Sequence, residues 1–349
     1  MSVTKVFMTM GALLACGAMS APAASQQTAA EKMNTYLDQA NKVAMLNGNV
    51  MVVDHGKIVL RRTIGCADSS CKRPLTLKDR FVIGSIAKEF DSVGLLMLAE
   101  QGKLSLTDPV SKFIPDLPAW AGTVTLDHLL HYTSGLPDVD WDTVHSDADA
   151  FRNIRAIKQL DYPAGTHYAY NNNNTFLRRR VIEAVSGMSY ADFLRKREFP
   201  KAGIRDAVID PTDTTPRVAK GFDAQFKPDP LTVDMTGWPA LTLDDFIRWS
   251  NCIKKFCLIT PESTRQIITT GNPKWQTGLG HGTMDGQKLV YHRHDGNNHN
   301  FEALLLMDAS KDRTLLFLTS RNHIDVYIPA EAIDAILDGK PYAPPGANQ

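Results

Sequence analysis

Apolar and polar positions along the chain fall into two regimes. Near the beginning, Met33, Tyr36, Leu37, Ala40, Val43 and Ala44 recur at spacings of three and four, the period of one helix face, which predicts a surface helix running up to Gly48. Val50-Met51-Val52-Val53 and Ile58-Val59-Leu60 follow as short apolar runs around Asp54-His55-Gly56-Lys57, a pattern that predicts a hairpin. The far end repeats this chemistry: Phe301 to Met307 and Thr314 to Thr319 flank a polar turn from Asp308 to Arg313, and Ile324 to Leu337 reads as a helix. Between these ends, from Phe90 to Phe256, helical periods alternate with Pro-rich connections such as Asp108-Pro109, Leu117-Pro118 and Lys227-Pro228-Asp229-Pro230.

Strands at both ends with helices between them predict an α+β fold. An antiparallel sheet is built from the two chain ends and covered by the terminal helices, and a mostly helical domain is inserted. The expected α/β part covers about 24–84 and 270–349, and the helical part about 85–269, with a cleft where they meet. No internal repeat or heptad seam is present.

Composition narrows the partners. Lys plus Arg and Asp plus Glu balance at 38 each, which leaves no field for gripping a nucleic acid backbone or an anionic membrane. The expected partner is a small-molecule or peptide substrate, with no nucleic acid and no membrane span. Lys5 precedes an apolar run from Val6 to Ala15, and Ala21-Pro22-Ala23 supplies a cleavage signal, so residues 1–23 read as a signal peptide. Localisation is therefore expected to be periplasmic or secreted, with residues 24–349 forming the mature domain. Leu13-Leu14-Ala15-Cys16 loosely resembles a lipobox, the competing reading, which would put a lipid anchor on Cys16. The other four thiols allow three connectivities. Local closure favours Cys66 with Cys71 and Cys252 with Cys257, each across four intervening residues, as suits an exported chain.

Three segments carry candidate chemistry. Ser85 and Lys88 stand three apart just before the helical run Phe90 to Leu98, hence on one helix face. A Ser hydroxyl needs a base to become a nucleophile, and a Lys serves when burial or a nearby cation lowers its pKa. The bland reading is a helix cap beside a solvated Lys, but a cation in the first turn opposes the helix dipole. Tyr170 and Asn172 lie in a loop before the helical stretch Phe176 to Val185; a phenol can shuttle a proton and an amide can bind substrate, although Asn171 to Asn174 also suit turns and caps. His292 and His294 share a strand face and, with His299, offer a metal reading. Gly296 in this strand-edge segment instead suits close backbone approach to a substrate.

Taken in order, Ser85-x-x-Lys88, Tyr170-x-Asn172 and His294-x-Gly296 resemble the three motifs of penicillin-recognising serine hydrolases, in the branch that contains class C β-lactamases, D-alanyl-D-alanine carboxypeptidases, D-aminopeptidases and related esterases. The segments Gln101 to Val110 and Val124 to Pro137 are similar to that branch, and the likeness runs from about Val50 to Asn322. The resemblance implies a β-lactamase/transpeptidase-like fold and acyl-enzyme chemistry without cofactor or metal. Ser85 would be the nucleophile, with Lys88 and Tyr170 sharing proton transfers. The backbone N–H groups of Ser85 and Asn297 would form the oxyanion hole, while Asn172, His294 and Gly296 would contact or admit substrate. Departures bear on substrate: His294-Asp295-Gly296 replaces the Lys-Thr-Gly of the β-lactamases, Asn171 stands for Ser, Asn300 for Gly, and Trp238-Pro239 interrupts a usually Gly-rich segment. If His294 holds the place of that Lys, its ring faces the cleft beside Ser85 and Tyr170. The expected substrate is a peptide-like amide of a D-amino acid or a small ester; a β-lactamase or penicillin-binding carboxypeptidase, and a catalytically silent cell-wall-binding protein, are the alternatives.

Overall fold

A computed structural model describes residues 27–321 and 325–346. The expected signal peptide, the Cys16 anchor and Ile324 lie outside the described residues. Six strands form one antiparallel sheet: β1 (Gly48–Asp54), β2 (Lys57–Ile64), β3 (His281–Asp285), β4 (Lys288–Asn298), β5 (Phe301–Asp308) and β6 (Arg313–Thr319), in spatial order β2-β1-β6-β5-β4-β3. The two ends of the chain meet where β1 pairs with β6, with Val50 opposite Phe317. The β1–β2 hairpin turns through His55 and Gly56, both at positive φ, the geometry that matches strand twist in a two-residue turn.

Period-two alternation buries both faces of the sheet. Val50, Val52, Leu304, Leu315 and Phe317 pack in one core with helices α1 (Ala29–Lys42) and, C-terminally, Tyr327–Leu337. Their strand neighbours Met51, Ala303, Leu305, Leu316 and Leu318 belong to the second, larger core together with Ile86, Phe90 and Trp249. Helix α2 (Ala87–Glu100) is buried at almost every position. Helices α3 (Asn172–Ser186) and α4 (Leu243–Lys254) complete that side, with Tyr327–Leu337 as α5.

Several expectations need adjustment. Helix α1 opens on a Thr28/Glu31 capping box but ends at Lys42 rather than near Gly48. Ala44 takes positive φ, the Met45 N–H returns to the Ala40 carbonyl at 2.8 Å, and Val43 is 40% exposed, so the apolar stripe stops short. The middle segment is not uniformly helical. Pro239–Leu241 pairs with Phe81–Val82 on one side and Val208–Ile209 on the other, and α4 comes back to pack on β1 and β6. β3 pairs with β4 only as far as Arg293, so His292 lies within the sheet, whereas His294 to Asn298 run past β3 and present the strand edge against which the Ser85 turn packs. Cys66 is bonded to Cys71 and Cys252 to Cys257. Among the described residues, no helix is long and apolar enough to cross a membrane.

Candidate active site

The nucleophile candidate is positioned by a backbone-to-backbone contact. After Phe81–Val82 the chain turns at Gly84 (φ 50°) into a short 3₁₀ turn, Gly84–Ile86, that runs directly into α2. A Cβ on Gly84 would lie 2.6 Å from the Gly296 carbonyl carbon, and one on Gly296 would lie 2.8 Å from the Ser85 nitrogen. Both positions therefore demand glycine, and the amides of Ser85 and Asn297 are brought side by side where β4 crosses the turn.

Ser85 Oγ sits 2.8 Å from Lys88 Nζ and 2.8 Å from the Tyr170 hydroxyl, which donates to it. Lys88 is fully buried, and that burial, with the charges of Arg179 and Arg178 and against the pull of Asp91, brings its ammonium pKa down to about 7. Its surroundings are aromatic: Nζ lies 5.0 Å from the Tyr170 ring centre and 5.1 Å from that of Trp238. The guanidinium of Arg179 stands 4.2 Å from the same Trp238 ring and is held, with Arg178, by the buried carboxylate of Asp91. Burial, reinforced by Tyr132, pushes the Tyr170 phenol well above its ordinary value, so it stays protonated. At neutral pH the amine is the available base and the phenol a donor.

The four asparagines divide between structure and site. Asn171 is the N-cap of α3, accepting from the Asn174 N–H at 3.2 Å, while Asn173 donates to the Pro137 carbonyl and Asn174 donates back to Asn171. Asn172 alone of the four lines a cavity of about 150 Å³ with Ser85, Lys88, Trp238 and Asn297, and its Oδ1, like that of Asn174, is buried without a partner among the described residues.

His294 does not face that cavity as expected. Its side chain is fully buried, and its Nδ1 lies 2.8 Å from Glu89 Oε1. His292 shares the strand face, as period two requires, and places Nε2 3.0 Å from the same oxygen, while Trp249 Nε1 donates to Glu89 Oε2 at 2.5 Å. The reason is electrostatic: a carboxylate in the core must collect donors, and these imidazoles join the Trp249 indole in supplying them. Burial would raise the Glu89 pKa, but the two histidines overcome it and hold the carboxyl down at about 2. The third ring of the metal reading, His299, lies apart in the β4–β5 turn, 3.1 Å from Thr232 Oγ1. Glu89, Trp141 and Asp234 were not anticipated. Glu89 alone had a visible signal, an acid within an otherwise apolar helix.

This constellation, on a sheet closed by the two chain ends, defines a β-lactamase-type fold. The sequence profile of the Beta-lactamase family matches residues 30–337, and the chain belongs to that family. Among curated proteins it is 32% identical to "Penicillin-binding protein 4*" of Bacillus subtilis over 195 residues, covering 53% of this chain and 42% of that protein. It is 24% identical to "Protein flp" of Staphylococcus aureus over 314 residues, covering 80% and 60%. The chain thus spans about two fifths to three fifths of the length of these relatives. Among solved structures, a penicillin-binding protein from Bacillus halodurans superposes with TM-score 0.75 at 19% identity, covering 87% of this chain and 99% of that one. A "Beta-Lactamase/D-Alanine Carboxypeptidase" from Pseudomonas syringae superposes with TM-score 0.72 at 19% identity, covering 88% and 99%.

Proposed function

We propose that the chain is an exported serine hydrolase that works through an acyl-enzyme on peptide-like amides of D-amino acids or on small esters. The observation that carries this reading is the placement of Ser85 Oγ at 2.8 Å from both a lysine whose pKa burial lowers to about 7 and a protonated phenol. Lys88 as free amine takes the Ser85 proton while Oγ adds to the substrate carbonyl. The developing oxyanion is received by the neighbouring amides of Ser85 and Asn297. Tyr170 hands a proton to the leaving group and is reprotonated from Lys88; water then repeats the sequence to release the acid, with Asn172 holding the substrate.

The family and its named relatives also favour a β-lactam reading, but a β-lactam's carboxylate needs a fixed cation. His294 occupies the corresponding motif and is turned onto Glu89, so amides and esters fit better. Intact mass spectrometry after incubation with a fluorophosphonate, a penicillin and an ester tests the reading. A single adduct on the wild type and none on Ser85→Ala is expected; labelling that survives Ser85→Ala overturns it. N-terminal sequencing of protein recovered from outside the cytoplasm is expected to begin after Ala23.

A further inference from the structure

A second cavity, of about 200 Å³, opens at the far end of α2 from Ser85 and Lys88. Its floor is apolar: Met97 and Leu98 from the last turn of α2, Phe193 from the short helix Tyr190–Phe193, and Met188 before it. Its rim is basic, with Lys103, Lys196, Arg197 and Lys201 all exposed on the wall and no acid among the residues that line it. Nine residues along α2 separate Lys88 from Met97, about 14 Å at 1.5 Å per residue, so one small ligand does not reach both cavities.

The chain gathers cations here and turns its acids elsewhere. Between two short helices, Tyr190–Phe193 and Phe199–Ala202, it makes a wider π-turn, Leu194–Glu198, a geometry that recurs at functional sites. Arg197 of that turn lines the cavity, whereas Glu198 is buried against Gly94 of α2, where a Cβ would lie 2.6 Å from its Oε1. Burial keeps the Glu198 carboxyl neutral, so it cancels none of the charge on the rim. Glu100, at the end of α2, accepts from Thr260 and Ser263 instead, and Glu183 accepts from the Tyr190 N–H. Asp192 pairs with Lys196 at 3.0 Å. Lys103, Arg197 and Lys201 are left without an ion pair or side-chain hydrogen bond among the described residues. Arg197 and Lys201, four apart in the chain and on one wall, repel each other, and a bound anion removes that repulsion.

We infer that this cup is a binding site for a small organic phosphate, an apolar body about the size of one ring that carries a phosphate head. The floor offers aliphatic, thioether and aromatic contact, and a cavity of about 150 Å³ is already enough for a benzene ring. The three unpaired cations select the head. A phosphate monoester is nearly a dianion at neutral pH and presents three acceptor oxygens to a guanidinium and two ammonium groups, whereas a carboxylate brings one charge and two oxygens. This site is separate from the acyl transfer proposed for Ser85 and stands whether or not that reading holds.

Titration of the full chain with phenyl phosphate tests it, read by NMR of carbon-13-labelled methionine methyl groups. Met97 and Met188 line this cup and Met235 lines the Ser85 cavity; replacing each by Leu assigns its signal. The Met97 and Met188 signals are expected to shift while that of Met235 stays, with binding about tenfold tighter than for inorganic phosphate or phenol, and weaker in added salt. Arg197→Gln combined with Lys201→Gln is expected to weaken binding about tenfold, whereas Lys201→Arg keeps it within a few-fold. An unchanged Met235 signal shows that these variants are folded. No shift at Met97 and Met188, a response confined to Met235, phenol or inorganic phosphate bound as tightly, or an affinity unmoved by the glutamine pair overturns the inference. Capture by vesicles of an anionic phospholipid without any response to phenyl phosphate overturns it too, in favour of a membrane surface.

Discussion

Lys88 and Glu89 are consecutive residues on the first turn of one helix, both fully buried, and the protein treats their charges in opposite ways. Lys88 is surrounded by rings, one hydroxyl and two guanidinium groups, so burial discharges it, with a pKa near 7. Glu89 is surrounded by an indole N–H and two imidazoles, so it stays ionised despite burial, with a pKa near 2. Glu198 completes the series. It is just as buried, its two oxygens have no partner among the described residues, and burial drives its carboxyl well above the usual range into the neutral form. Depth alone does not decide ionisation; the donors and charges that accompany a group do.

The contrast is broken most completely at Lys88. Lys88→Met is expected to lower kcat/KM on a neutral ester by a factor of about 10³ or more, since no base remains. The same variant should melt at a higher temperature. The unfolded chain holds this proton up to about pH 10.5 and the folded chain releases it near pH 7, so the folded state is penalised increasingly as pH falls through that window and fully below it. At about 1.4 kcal/mol per unit the relief amounts to several kcal/mol at pH 6 and little at pH 10. Thermal melts of both proteins across that range check it, and a Tm lowered at pH 6 would contradict it.

Glu89→Gln attacks the other half. Two buried imidazoles lose their counter-charge, and an expected loss of about 3–5 kcal/mol follows from denaturant titration at pH 7. The wild-type contribution of Glu89 is present above about pH 4.5 and is lost as pH falls toward 2. For His292, burial is outweighed by Glu89 and the pKa is raised, so its contribution is present below about pH 6.5 and fades as pH climbs through the raised value. Glu89→Gln should flatten both limbs.

A milder probe leaves the protein intact. For the wild type, kcat/KM on a neutral ester should rise tenfold per pH unit below about 7 and level off above it, because only the uncharged amine of Lys88 accepts the Ser85 proton. A profile flat from pH 5 to 9 would remove Lys88 from the role of base. The smallest effect is expected at Glu198: a carboxyl that is already neutral tolerates Glu198→Gln at about 1 kcal/mol or less, whereas an ionised one would show a larger change.

Much of this was legible in the sequence, for identifiable reasons. The terminal hairpins show because each strand alternates between two different cores, and Ser85, Lys88, Tyr170 and Asn172 show because short spacings and their order along the chain carry them. The hidden parts depend on distant partners. Lys288–Asn298 is so polar that nothing in it marks His292 and His294 as buried; they lie inside because Glu89, 205 residues from His294, offers them a buried carboxylate. The short strand Pro239–Leu241 begins on a proline and has no pattern of its own; it exists because Phe81–Val82 offers it a partner, and it is what sets Trp238 at the pocket. The end of α1 was misjudged because Val43 and Ala44 fit the helical period while the backbone had already turned.

The pairing of β1 with β6 also imposes an order of events in time. The strand that completes the sheet ends at Thr319, and the glycine that seats the Ser85 turn is residue 296, so a ribosome must pass both before Ser85 has its strand to rest against. Contacts of such long sequence separation form late and slowly. A growing chain therefore carries its serine, lysine and tyrosine without their geometry. The site is therefore a property of the closed sheet and not of any shorter stretch of the chain.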